Sequence, residues 1–256
     1  MFVTMLQKEF LEMIRSYKIA IILLIFIVLT VMQPVMFKLL PQLLKDLSDL
    51  PNGSVIQIPT PDATTIMATS LGKFGVIGSI VVIIMTMGTI VNERLSGVAS
   101  LVLVKPIGKS GYYWAKIISN SILVAISMLI AMAITAITTD LLFDSVDYYR
   151  ILLATLIYIP YLILGVFLAV SASAIAKSPA VAGGIAILIH FSLSFVPTFM
   201  NQDDFVYRIS PSKIIDDSIN VIMEQSTDFW PAIGGISAIA LVVGFIGLFC
   251  FKRAEN

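Results

Sequence analysis

Charge is what this sequence lacks most. Of its 256 residues only 12% are Asp, Glu, Lys or Arg, the sixteen basic and sixteen acidic side chains cancel, and 58% of residues are hydrophobic, with a mean hydropathy of +0.99. A water-soluble domain carries about 25% charged residues. This chain therefore lacks the polar groups to cover a globule and reads as a membrane protein. Cysteine and histidine are nearly absent too: Cys250 and His190 are single. A lone thiol makes neither an internal disulfide nor a multi-thiolate metal site, and Cys250, inside an apolar run, reads as a packing residue. There are no His/Glu metal spacings, no Ser-Lys or Ser-His arrangement at a recognisable motif, and no Glu-Glu pair of the intramembrane metalloprotease kind. Neither catalysis nor a metal or cofactor is expected in this chain, and nucleic acid is not among the expected partners.

What is present is a set of long apolar runs. Residues Ile19 to Phe37, Phe74 to Val91, Ile117 to Thr139, Ile151 to Ala176, Ala180 to Met200 and Pro231 to Phe251 are each predominantly apolar over about the 20 residues that a helix needs to cross a bilayer. Six crossings use half the chain and leave no room for a separate soluble catalytic domain. The expected fold class is therefore all-α: a polytopic membrane protein with an N-terminal interfacial amphipathic helix over 1–18 and a six-helix transmembrane domain over 19–256. The first span follows Lys8, Arg15 and Lys18 as a signal peptide would, but its run is too long and no small-x-small site follows, so it reads as a retained helix.

Six crossings put both termini on one side. Ten Lys and Arg fall on that side, among them Lys8, Arg15, Lys18, Arg94 and Lys116, against six on the other. Short basic loops are not readily translocated, so the termini are expected in the cytoplasm. Twelve of the sixteen acids fall on the outer side, so zero net charge hides a polarised molecule. The absence of a cleavable signal and the small size suggest a bacterial cytoplasmic membrane. Pro34, Pro160, Pro197, Gly183-Gly184 and the close spacings Gly72, Gly75, Gly78 and Gly244, Gly247 suit a packed bundle, although Gly and Pro are also simply commoner in membrane helices.

Four segments carry possible function. In Met1 to Lys18, residues Phe2, Leu6, Phe10, Met13, Ile14 and Tyr17 recur at helical spacing opposite Gln7, Lys8, Glu9, Glu12, Arg15 and Lys18. This predicts an amphipathic helix in the inner interface, its balanced Glu and Lys content arguing against a purely electrostatic lipid anchor. The longest cytoplasmic connection, Asn92 to Lys116, opens on Glu93-Arg94, continues through Gly97, Leu101 and Leu103, and breaks at Pro106-Ile107-Gly108. A short helix with an apolar stripe and charged ends fits a groove on a partner protein. His190 lies near the middle of the fifth span, where an ionisable group is costly. Its imidazole is either a satisfied core group, partnered by Ser192, Ser194 or a neighbouring helix, or part of a cargo path. The outer segment 201–230 pairs Asp203-Asp204 and Asp216-Asp217 around Ile214, Ile215, Ile219, Ile222 and Met223. It predicts a second amphipathic helix, whose acids either attract a cationic cargo or are merely tolerated outside. Tyr112, Tyr113, Trp114 and Trp230, at span ends, read as interface anchors.

The connection after the second span resembles the coupling region of the type-2 ATP-binding-cassette exporter permeases. Glu93-Arg94, Gly97, Leu101, Lys105-Pro106, Gly108, Lys109, Tyr113 and Lys116 follow that family's pattern in order, with Val98 where Thr is usual and Lys109 where Arg is usual. The arrangement of interfacial helix, large first outer loop and outer helical segment extends the resemblance over the whole chain. It implies a half-transporter that pairs with a second permease chain, identical or different, and binds cytosolic ATPase subunits that hold ATP-Mg. It also implies ATPase contact through Glu93, Arg94, Gly97, Leu101, Leu103, Lys105, Pro106 and Lys109. Gly108-Lys109-Ser110 does not make this chain a nucleotide binder: a phosphate-binding loop needs Gly five residues earlier, and Leu103 stands there. Two other readings stay open, an intramembrane enzyme using His190 and a non-transporting scaffold or signalling subunit.

Overall fold

The structure is a computed structural model that describes residues 2–47, 62–98, 108–201 and 204–254. Among the described residues it is all-helical. Helix α1 is Phe2–Arg15, α2 Lys18–Leu47, α3 Ala63–Thr86, α4 Val91–Leu95, α5 Lys109–Leu142, α6 Tyr148–Ile175 and α7 Pro179–Phe195. A 3-10 turn (Val196–Phe199) follows, then α8 (Phe205–Arg208), α9 (Pro211–Ile222) and α10 (Trp230–Ala254). Six stretches are long and apolar enough to cross a membrane: Lys18–Pro41, Ala63–Leu95, Lys109–Leu142, Tyr148–Ile175, Pro179–Phe199 and Trp230–Arg253. Each coincides with one of the six apolar runs.

The helices outrun the apolar runs at their ends. Helix α3 begins at Ala63 rather than Phe74, and α5 at Lys109 rather than Ile117. Apolar runs stop at the first polar residue, whereas a helix continues where that residue finds a partner. Ser70 returns its hydroxyl to the Ile66 carbonyl at 2.9 Å, and Lys116 is ion-paired to Glu9. Starts are written in local chemistry. Asp147 accepts from the backbone N–H groups of Tyr149 and Arg150, and Ser178 and Ser210 cap α7 and α9 ahead of Pro179 and Pro211, the side-chain oxygen and N1 proline that a helix start favours.

Helix α6 is the centre of the bundle, packed by α3, α5, α7, α9 and α10. Two-thirds of its most apolar window is buried, against about a quarter for α2, α7 and α10. Small residues allow this: Ala154, Gly165, Ala169, Ala172 and Ala174 are buried along it, and small side chains let membrane helices approach closely. Hydroxyls then tie the neighbours. Tyr113 on α5 meets Ser171 on α6 at 2.7 Å, Ser171 donates to the Val243 carbonyl on α10 at 3.3 Å, and Thr135 on α5 donates to Thr30 on α2 at 2.7 Å. Helix α1 and the last turn of α10 come to one end of the bundle. There Phe251, near the end of α10, stacks on Tyr112 in the first turn of α5, which α1 also packs against. Helix α9 lies at the other end, against α3 and α6.

Tyr112 and Tyr113 are fully buried, which corrects their reading as interface anchors. Apolar surroundings and a hydrogen-bond partner for each hydroxyl, Glu93 and Ser171, draw both inward. Trp114 packs edge-on to Phe167 and Phe245, while Trp230 is exposed.

Gly247 faces the Tyr113–Ser171 pair so closely that a Cβ there would overlap both side chains. Gly247→Val is expected to cost about 1–3 kcal/mol, the range for overpacking a filled core, and to lower the thermal midpoint of the detergent-purified protein. Gly184→Val, where a Cβ meets open space, should leave that midpoint in place.

Candidate functional site

At the terminal end the bundle buries charge. Lys116 of α5 is 1% exposed, Glu9 of α1 3% and Glu93 of α4 8%. The Lys116 ammonium lies 3.1 Å from both Glu9 oxygens and 2.8 Å from Glu93 Oε1. Lys8 approaches the same Glu93 oxygen at 2.8 Å, with Glu12 at 2.6 Å and Glu9 at 3.2 Å. Tyr112 donates to Glu93 Oε2 at 2.5 Å, and its ring lies under the Lys116 ammonium at 4.9 Å. Three carboxylates and two ammonium groups thus share one site, with Lys18 beside it, donating to Asn120 Oδ1 at 2.7 Å.

Burial opposes the charged form of Lys8, but its hydrogen bonds to Glu12 and Glu93 outweigh that and raise its pKa. Lys8 therefore stays cationic at any physiological pH. The oxygens of Glu9, Glu12 and Glu93 lie within 4.8 Å of one another, the spacing of a cation site. Lys8 and Lys116 already stand among them, so the charge of the two buried carboxylates is met from within the chain, and the third, Glu12, is half exposed to water.

The sequence places this cluster through one stripe of α1. Met5, Glu9 and Met13, four residues apart, are its buried side chains, while Phe2, Val3, Leu11, Ile14 and Tyr17 face outward. Helix α1 therefore docks on the bundle by a carboxylate flanked by two methionines, with Leu6 packed beside them, while Phe2, Val3, Leu11 and Ile14 stay exposed.

A second set of contacts fixes α4. Thr86 and Thr89 bond back to the Val82 and Thr86 carbonyls at 2.7 Å, a pattern that bends helices, and α3 ends there. Past the bend, the N–H groups of Ile90 and Val91 both donate to Ser173 Oγ on α6, at 3.1 and 3.0 Å. Arg94 closes the other side, donating to the carbonyls of Ala174, at 3.1 Å, and Ala176. These belong to the last turn of α6, whose free carbonyls and negative dipole end favour a guanidinium. Glu93 and Arg94, neighbours in sequence, thus point to opposite anchors: one to α1 and α5, the other to α6.

From this root the chain leaves at Gly97 and returns at Gly108. Both have positive φ, 76° and 52°, where only glycine is unstrained. Leu101, Leu103, Lys105 and Pro106 lie outside the described residues, as does the helix expected there. Lys109 is the first residue of α5. A crevice of about 290 Å³ opens beside the charge cluster, walled by Glu9, Lys18, Met87, Asn92, Glu93 and Lys116.

His190 is far from this end and fully buried. Its ring lies 4.7 Å from that of Tyr161 and 5.8 Å from that of Phe191. Neither ring nitrogen has a hydrogen-bond partner among the described residues. Ser194, a candidate partner by sequence, bonds to the His190 carbonyl instead.

The parts of the site that sequence reasoning missed are Lys8 and Tyr112 as partners of Glu93, Glu9 as a second carboxylate on Lys116, Lys116 as a buried charge, and Ser173 as an anchor. One signal was available. The equal number of acidic residues, Glu9 and Glu12, and basic residues, Lys8 and Arg15, in α1 is what a helix needs if its charges are to be neutralised within the protein.

A family profile described as "ABC-2 family transporter protein" matches residues 3–255. The chain is also similar to a Bacillus subtilis (strain 168) protein described as "Uncharacterized transmembrane protein YxlG". The two are 24% identical over 255 residues, which cover 98% of this chain and 97% of that one.

Lys116→Met leaves Glu9 and Glu93 buried without their shared counter-charge and is expected to destabilise the protein by about 3–5 kcal/mol. Tyr112→Phe removes one hydrogen bond to a charged group and should cost about 1.5–3 kcal/mol. Unfolding of both variants in the same detergent should give that order; equal losses would show that the ion pairs contribute nothing beyond the phenol.

Proposed function

The chain belongs to the ABC-2 family of transporter proteins, and from that premise we propose that it is the permease subunit of an ATP-binding-cassette exporter, driven by ATP hydrolysed in separate cytosolic chains. It is a multi-pass membrane protein of a transporter family, and members of that family work with ATP-binding partners. In this reading ATP-Mg binds the partner, this chain holds no cofactor, and a second permease chain completes the path. Both termini lie in the cytoplasm of a bacterial cell.

The observation that carries the reading is the double anchoring of α4. A segment that is to transmit a push must be held at its root, and Glu93 and Arg94 tie that root to α1, α5 and α6. A displacement of residues 96–108 would then reach spanning helices directly instead of being absorbed by a slack loop. Leu101 and Leu103 supply the apolar anchors for a groove on the ATPase, Lys105 and Lys109 the surface charge, and Pro106 the stop that frames them. Gly97 and Gly108 set the exit and return of the chain. Glu93 and Arg94 serve the contact by positioning it.

The test is co-purification in mild detergent from native membranes. Wild type is expected to retain an ATP-hydrolysing subunit and a second permease chain. Leu101→Asp/Leu103→Asp loses two apolar anchors and should retain at least about tenfold less ATPase, with the bundle still in the membrane and transport uncoupled from hydrolysis. Normal transport by that double mutant, or wild type purifying without any ATPase where other such complexes survive, would falsify the assignment.

A further inference from the structure

At the end of the bundle opposite the charge cluster, two cavities of different chemistry share one wall. The larger, about 730 Å³, is polar and lies between α8, α9 and the start of α10; Tyr207, Arg208, Lys213, Asp216 and Asp228 line it. The smaller, about 200 Å³, lies among α3, α6, α7 and α9. Its walls are mostly apolar: Gly72, Gly75, Tyr161, Phe191 and Phe195. Asp216 lines both.

The charges around Asp216 are unevenly used. Lys213 is held by Asp217 and Thr227, inside α9 and its flank. Asp216 accepts a hydrogen bond from Tyr207 at 2.6 Å, and no Lys or Arg among the described residues lies within ion-pair distance of Asp216 or Asp228. Arg208 and Lys213 line the same polar cavity, but the contact made by the Asp216 carboxylate among the described residues is the Tyr207 hydroxyl, at the place where the polar cavity meets an aromatic one.

The apolar side is built by absence as much as by bulk. Gly72 and Gly75 leave open the space their side chains would fill: a Cβ on Gly72 would stand 3.3 Å from Ile219, and one on Gly75 3.0 Å from the Tyr158 hydroxyl. That hydroxyl is buried and has no hydrogen-bond partner among the described residues. Across from the glycines, Phe191 and Phe195 stack at 5.7 Å. Aromatic faces and a carboxylate together are the surroundings that an organic ammonium ion prefers over water, the rings through their quadrupoles and the acid through its charge.

We propose that the two cavities form one binding site for an amphiphilic organic cation, its ammonium group at Asp216 and its apolar portion against Phe191, Phe195 and Tyr161. An anion seated with its tail against the same rings brings its head group to Asp216, the charged residue on the apolar cavity's wall, and binds more weakly than the cation. Calling this ligand a cargo rests on the transport reading above; its binding does not.

The test uses the full chain in phosphatidylcholine nanodiscs and two probes of equal tail length, decyltrimethylammonium and decyl sulfate, each corrected for uptake by empty discs. Saturable binding of the cation and not of the anion is expected. Asp216→Asn, which keeps the acceptor for Tyr207 but not the charge, should weaken cation binding about tenfold. Phe195→Ala, away from the α8–α9 contacts, should weaken it about fivefold and keeps the test alive if the Asp216 variant fails to fold. Uptake no greater than that of empty discs, equal binding of the two probes, or unchanged affinity in a folded Asp216→Asn protein overturns the site. ATPase co-purification of the same preparations separates the two readings. Failed cation binding with the ATPase retained removes the site alone. Saturable binding by a chain that captures no ATPase removes the exporter assignment and leaves the site.

Discussion

An ammonium group with almost no access to water has to be neutralised by the protein, and in this molecule that requirement organises one whole end of the bundle. Desolvating a charge costs several kcal/mol even after relaxation. Lys116 can be buried only because Glu9 arrives from α1 and Glu93 from α4. Those two carboxylates in turn need more positive charge than one lysine supplies, which Lys8 provides. The amphipathic helix, the bend after α3 and the start of α5 are therefore not independent features. Each is the condition under which the others can be buried, and the stacked rings of Tyr112 and Phe251 bring the end of α10 into the same arrangement.

The sequence made the bundle readable because hydropathy is a local property. Six apolar runs report six helices regardless of what they pack against, and the caps at Asp147, Ser178 and Ser210 are equally local. The charge cluster was hidden for the opposite reason. Glu9, Glu93 and Lys116 are far apart in the chain, and each taken alone is an ordinary interfacial residue; only the packing of α1 on α5 makes them one object. Tyr112 misled in the same way, since a tyrosine at a span end is an interface anchor by default until an acid within reach draws it inward. The pattern Glu93-Arg94 to Lys109 was legible as a motif, but the opposite directions in which Glu93 and Arg94 point could not be read from their adjacency.

The two ends of the molecule use polar chemistry differently. At the terminal end acids and bases are matched and drawn together, and the spanning helices meet there through fixed bonds. At the far end Lys213 pairs with one oxygen of Asp217 within one short helix, and Asp216 and Asp228 line open volume without an ion pair among the described residues. The first arrangement suits transmission of force, the second reception of a solute, and the densely packed α6 runs between them.

The salt bridge between Glu9 and Lys116 joins residues 107 positions apart, and this has a consequence for how the protein is made. Chains grow at about 5–20 residues per second, so α1 leaves the ribosome about 5–20 seconds before its counter-charge exists. During that interval Glu9 has no buried partner and α1 has no seat on the bundle. Its Phe2, Val3, Leu11 and Ile14 face outward even in the finished fold, so docking changes the surroundings of Met5, Glu9 and Met13 alone among its most buried side chains. The seating of α1 therefore waits on the synthesis of α5: until Lys116 is in place, Glu9 has only the part-exposed Lys8 beside it.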